Sequence, residues 1–149
     1  MNLEYVNNFI DNNTKEFIKN NILNYEQYYP KDNITYKSNP IEFNNGNIYS
    51  GNWNENCQLE GYGIYYMKEK DVVAEGVWIK GNLTFGRIFL PSGEIYEGQI
   101  LNNIFNGKGK LTFPDGSYYC GNFVEGEMIG NGEYIFNDKT TYSGNFKTG

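Results

Sequence analysis

Five times along the chain, a bulky residue follows a tyrosine (or its substitute) at a distance of four, with a glycine midway between them. The copies are Tyr49-Ser50-Gly51-Asn52-Trp53, Ala74-Glu75-Gly76-Val77-Trp78, Tyr96-Glu97-Gly98-Gln99-Ile100, Tyr119-Cys120-Gly121-Asn122-Phe123 and Tyr142-Ser143-Gly144-Asn145-Phe146. Their central glycines stand at 51, 76, 98, 121 and 144, in steps of 25, 22, 23 and 23 residues. A near-constant period in the twenties restricts a chain to an array of one supersecondary unit, each copy resting on its neighbours. The unit itself is legible between Gly109 and Phe123. Leu111 and Phe113 alternate with Lys110 and Thr112, the period of a half-buried strand. Pro114-Asp115-Gly116 then turns the chain, with glycine taking the positive φ that closes the turn. Tyr119, Gly121 and Phe123 share one face of the returning strand. The unit is a β-hairpin.

The other half of each unit is as regular: Gly63-Ile64-Tyr65-Tyr66-Met67, Gly86-Arg87-Ile88-Phe89-Leu90, Gly109 to Phe113, and Gly132-Glu133-Tyr134-Ile135-Phe136. Tyr-x-Gly-x-Trp/Phe, a short loop with Gly-x-Gly, an apolar strand and an Asp-Gly turn together resemble the MORN repeat family. The resemblance covers roughly residues 46–149, and a half-copy from Asn39 to Gly46 extends it to about 39. Three positions depart from the pattern: Ala74 stands for the tyrosine, Thr84 for the first glycine of Gly-x-Gly, and Lys139 for the turn glycine.

Phased as strand, tight turn, strand, loop, the chain gives hairpins near 39–54, 63–79, 86–101, 109–124 and 132–147. The expected fold is an all-β repeat array: a single-layer, twisted antiparallel meander of about five MORN hairpins, ten strands in all. Residues 1–38 form a separate amino-terminal segment and 39–149 the array. Period 2 puts Tyr49, Trp53, Trp78, Tyr96, Tyr119, Phe123, Tyr142 and Phe146 on one face with the repeated glycines between them. A glycine there lets a neighbouring ring lie across bare backbone. Glu75 and Glu97 belong to the other face, where they are expected as a solvated column about 10 Å apart.

Twelve of the first 45 residues are asparagine and none is glycine. Asn13-Thr14-Lys15-Glu16 resembles a capping box, and Phe17, Ile18, Ile22 and Tyr25 follow at helical spacing. A short amphipathic helix is expected at about 14–28, ended by Pro30. It is read as a cap on the first repeat, with a partner-docking arm as the alternative.

Candidate chemistry is sparse. The chain has no histidine, which removes Ser-His-Asp and Cys-His pairs and every histidine-bearing metal site. Cys57 and Cys120 lie three repeats apart, roughly 30 Å at 4.8 Å per strand, too far for a disulfide. Gly107-Lys108-Gly109 and Gly130-Asn131-Gly132 lead into strands and not into helices, so they are repeat glycines and no phosphate loops. Neither catalytic residues, nor a metal, nor a cofactor is expected. No run of 18 apolar residues exists and no export signal opens the chain, so the expected location is cytoplasmic.

What the resemblance implies about function is a scaffold. Family members serve as cytoskeletal, ciliary radial-spoke-head and division-ring components, or as accessory arms on lipid kinases and a lysine methyltransferase. No kinase or methyltransferase domain is visible, so only the scaffold part carries over. The expectation is a non-enzymatic adaptor, cytoskeleton-associated, that binds protein partners through its sheet. The candidate groove comprises Tyr49, Trp53, Trp78, Tyr96, Ile100, Tyr119 and Phe123, because a single layer leaves its apolar face open. The last strand, with Tyr142, Gly144 and Phe146, is a candidate assembly edge for self-association. The alternative is a peripheral module binding anionic phospholipids, a role often proposed for the family. Charge stands against that: residues 46–149 hold 8 Lys+Arg and 12 Asp+Glu.

Overall fold

The architecture comes from a computed structural model that describes residues 12–20, 36–37 and 40–147. Among the described residues one helix, α1 (Asn12–Asn20), precedes eleven strands. These are β1 (Tyr36–Lys37), β2 (Ile41–Glu42), β3 (Ile48–Trp53), β4 (Leu59–Met67), β5 (Val72–Ile79) and β6 (Asn82–Phe89), followed by β7 (Ile95–Leu101), β8 (Ile104–Thr112), β9 (Tyr118–Val124), β10 (Glu127–Ile135) and β11 (Thr141–Phe146). All the strands belong to one antiparallel sheet that runs in chain order from β3 to β11. β1 and β2 both pair with the outer edge of β3, so the sheet is ten positions wide. The all-β meander with a short helical cover is therefore the fold. Residues 21–28 of the expected helix lie outside the described residues. Among the described residues no helix is long and apolar enough to cross a membrane.

The turns are of two kinds, and each follows from its residues. At 43–47, 90–94, 113–117 and 136–140 the first residue donates its N–H to the fifth carbonyl at 2.8–3.0 Å. The fourth residue has positive φ: Gly46 at 81°, Gly93 at 97°, Gly116 at 84° and Lys139 at 73°. Asp115 accepts from the Ser117 N–H at 2.9 Å, and Asp138 accepts from the Thr140 N–H at 2.9 Å. These carboxylates serve the turn that carries them. On the opposite side of the sheet the turns after β5, β7 and β9 have only two residues, both at positive φ: Lys80 and Gly81, Asn102 and Asn103, Glu125 and Gly126. That is the type I′ geometry whose twist suits a hairpin.

This corrects the expectation of loops between hairpins. The Gly-x-Gly segments look irregular in sequence, yet they lie inside strands. The register shift between β3 and β4, and again between β7 and β8, is a bulge in which Gly61 or Gly107 takes positive φ. β6, where Thr84 replaces that glycine, has 8 residues against 9 in β4, β8 and β10. The shortened bulge accounts for the 22-residue step, and the five-residue turn at 54–58 lengthens the first.

Lys139 keeps the geometry of its glycine counterparts at the cost of a left-handed side-chain-bearing residue. Lys139→Gly is expected to stabilise the protein by about 1 kcal/mol. The check is the thermal midpoint, and a lowered midpoint would contradict the argument.

Strand pairing lines the side chains up in rows across the sheet. One row is entirely glycine: residues 51, 63, 76, 86, 98, 109, 121, 132 and 144 pair in succession. Beside it on the first face runs Tyr49, Tyr65, Ala74, Ile88, Tyr96, Leu111, Tyr119, Tyr134 and Tyr142. The main core gathers on this face around Tyr49, Trp53, Trp78, Ile88, Tyr96, Tyr119 and Phe123.

The second face carries a smaller core, where Ile18 of α1 packs with Ile64, Val73 and Phe89. The Phe17 ring meets Phe89 edge-on at 5.8 Å, and the Arg87 guanidinium lies 5.5 Å from its centroid. Thus α1 covers the face over β4–β6, while β1 and β2 close the edge. The expected open glutamate column is corrected here. Arg87 stands between Glu75 and Glu97 in register, and Glu75 is buried. Arg87 donates to both Glu75 carboxylate oxygens, at 2.7 Å from Nε and 3.1 Å from Nη2. Tyr62 adds a hydroxyl at 2.8 Å.

Candidate partner-binding groove

On the first face the side chains leave a groove of about 770 Å³ over β3–β8. Phe43, Tyr65, Met67 and Leu90 stand along one side, and Trp53, Leu59, Trp78, Leu83 and Phe105 along the other. Ala74 and Ile88, cross-strand neighbours, lie between them. The lining is overwhelmingly apolar, with Lys70 as the one charged side chain among the described residues. Such a concave apolar surface is the kind that takes up another chain's side chains.

The groove is open because the tyrosine row is broken at one place. Tyr49, Tyr96 and Tyr119 are fully buried. Each lies against a glycine of the next strand: a Cβ at Gly63, Gly109 or Gly132 would stand 2.2–2.7 Å from its ring or hydroxyl. Each hydroxyl donates to the carbonyl three residues on, Tyr49 to Asn52 at 2.9 Å, Tyr96 to Gln99 at 2.6 Å and Tyr119 to Asn122 at 3.2 Å. A bulky residue from the following unit then packs edge-on: Trp78 on Tyr49 at 6.0 Å, Phe123 on Tyr96 at 5.1 Å, Phe146 on Tyr119 at 4.7 Å.

The family model described as MORN repeat matches residues 96–118 and 119–141. Residues 96–141 are two MORN repeats. Each matched unit starts at a buried tyrosine of the row and spans two strands, β7–β8 or β9–β10. No curated protein matches the chain. The groove lies mostly over the earlier units, where Ala74 and Thr84 depart from the pattern.

Of the residues named from sequence, Trp53 and Trp78 line the groove. Tyr49, Tyr96, Ile100, Tyr119 and Phe123 are buried in the core beneath the same face, at 0–5 % exposure. Tyr142, Gly144 and Phe146 are brought together on β11, where the Tyr142 ring crosses Gly144 and meets Phe146 edge-on at 5.3 Å. Tyr142 is 49 % exposed, unlike its buried counterparts. Sequence reasoning did not name Phe43, Tyr65, Met67, Leu90 or Phe105 as groove residues. The first four sit next to the wide turns, a position the apolar pattern shows but does not distinguish from core. Cys57 is exposed and Cys120 half-buried.

Burial pushes the phenols of Tyr49 and Tyr96 well above the ordinary tyrosine value, and for Tyr49 the Glu60 charge adds to it. The folded state therefore holds protons that the unfolded chain releases above about pH 10. Stability is fully present below that pH and falls as the pH rises beyond it. Phenolate absorbance should appear in two stages, the second coinciding with loss of the β signal in circular dichroism. A single stage with the sheet intact would contradict the burial of these rings.

Proposed function

We propose that this protein is a non-enzymatic scaffold that holds a protein partner in the groove over β3–β8. The observation that carries the reading is the apolar groove of about 770 Å³ beside a tyrosine row that is otherwise closed. MORN repeats serve as scaffold or membrane-binding modules, and the net charge of −6 disfavours an anionic surface. A cytoskeletal or ciliary assembly is the setting we propose, on the family resemblance.

Ala74→Tyr is the discriminating variant, because it supplies the ring found in the other units and so fills the groove with the protein's own side chain. It is expected to fold with the β signal of the wild type in circular dichroism. In affinity capture from the source cell with mass spectrometry, proteins held by the wild type should be lost on Ala74→Tyr. Equal capture by both proteins would exclude the groove as the binding surface. Co-sedimentation of the wild type with anionic vesicles, without protein capture, would favour the lipid alternative.

A further inference from the structure

The row across the first face contains eight large side chains and one methyl group, that of Ala74. The groove has Ala74 among its lining, with Tyr65 and Ile88, its two cross-strand neighbours. At Gly63, Gly109 and Gly132 a tyrosine ring is the nearest group to an added Cβ. At Gly86, the corresponding position, the nearest atoms are backbone atoms of Glu75 and Gly76. The ring that covers the corresponding glycine elsewhere is therefore missing from this unit, and the groove opens beside Ala74.

A second difference bears on what fits. In the units of Tyr49, Tyr96 and Tyr119 the tyrosine hydroxyl donates to the carbonyl three residues on. The equivalent acceptor here is the Val77 carbonyl, and the Thr84 hydroxyl already donates to it at 3.1 Å. The two departures from the repeat, Ala74 and Thr84, are thus one arrangement. The ring is left out, and its hydrogen bond is supplied from the neighbouring strand.

We propose that the Ala74 seat is an aromatic side-chain site that takes a phenylalanine of the bound partner in preference to tyrosine. The assignment rests on the protein-binding reading above and names what the partner presents. An incoming benzyl ring would replace the missing tyrosine ring between Tyr65 and Ile88. An incoming phenol would have to share the Val77 carbonyl with the Thr84 hydroxyl, and a polar group buried with a weakened hydrogen bond binds less tightly.

Two measurements test it separately. Toluene and p-cresol stand for the two side chains and are titrated into the whole chain by NMR, following the Ala74 methyl and the Trp78 indole. Toluene is expected to shift both signals and to bind about tenfold more tightly than p-cresol. Thr84→Val frees the Val77 carbonyl and should erase that preference, Thr84→Ser should keep it, and Ala74→Tyr should abolish both titrations. Toluene leaving the Ala74 methyl unmoved, or a preference unchanged in Thr84→Val, overturns the site. The second measurement is selection of a displayed random peptide library on the wild type. Enrichment of phenylalanine at one position, lost on Ala74→Tyr, supports the assignment; enrichment of tyrosine to the same degree, or of peptides without aromatics, overturns it. Toluene binding with no peptide enriched overturns the protein-binding reading and leaves the ring seat standing, so the two failures are distinguishable.

Discussion

Arg87→Met should lower the stability of the protein by about 3–5 kcal/mol, measured as a shift in the urea midpoint at constant slope. Methionine keeps most of the volume, so the loss is electrostatic. Both partners of the Glu75–Arg87 pair are 0–2 % exposed in their side chains. Without the guanidinium, the Glu75 carboxylate stays under α1 with the neutral Tyr62 hydroxyl still donating to it at 2.8 Å. A neutral hydroxyl cannot offset the lost hydration of a full charge. The companion double variant, Glu75→Leu with Arg87→Met, should return to within about 1 kcal/mol of the wild type, because it removes both charges together. A single variant that costs less than about 1 kcal/mol would show that the carboxylate is hydrated, and that α1 does not seal this face.

Trp78→Ala is the second large effect, expected at about 3–5 kcal/mol. The sequence placed this ring in an open groove. In the structure Trp78 is 6 % exposed, although one side of it does line the groove. Its Nε1 donates to the Gly63 carbonyl at 3.1 Å, and its indole meets Tyr49 at 6.0 Å and Tyr65 at 5.7 Å. It ties the first unit to the second. Because an array is stabilised mainly between neighbours, the damage should concentrate in β3–β5 and leave β9–β11 protected. Hydrogen exchange read by mass spectrometry separates the two regions. An unchanged thermal midpoint would mean that the indole is a surface group after all, and Trp78 would then return to the list of contact residues.

What was legible in the sequence was what is local. Period 2 sorted the two faces, and the residues of each wide turn announced it, including Gly116 at its positive φ. Lys139 was recognised as standing in a glycine's place. What was not legible depends on register between strands. The residue after each second glycine pairs with the residue before each first one, and that pairing is what sets Arg87 against Glu75. Without it, two glutamates on one face read as a solvated column. The two-residue turns were hidden because Lys80-Gly81, Asn102-Asn103 and Glu125-Gly126 share little beyond tolerance of positive φ. The groove was assigned to equivalent positions in the first four units, as a repeat invites. It lies over β3–β8, around the unit where Ala74 lacks the ring. The helix was visible from Phe17 and Ile18, but the face it covers is set by Ile64, Val73 and Phe89, far away in the chain.

The line of glycines also bears on errors in assembly. If a β-strand slips by one residue, every side chain changes face, and the exposed apolar groups report the fault. A slip of two restores the faces, so hydrophobicity alone cannot detect it. In this sheet a two-residue slip would bring a Cβ under a tyrosine ring that lies less than 3 Å from where that carbon would sit. The paired glycines work as a parity check. They reject the one misalignment that the alternation of polar and apolar residues would accept, and they do so at the β3–β4, β7–β8 and β9–β10 boundaries, where a tyrosine of one strand lies over a glycine of the next.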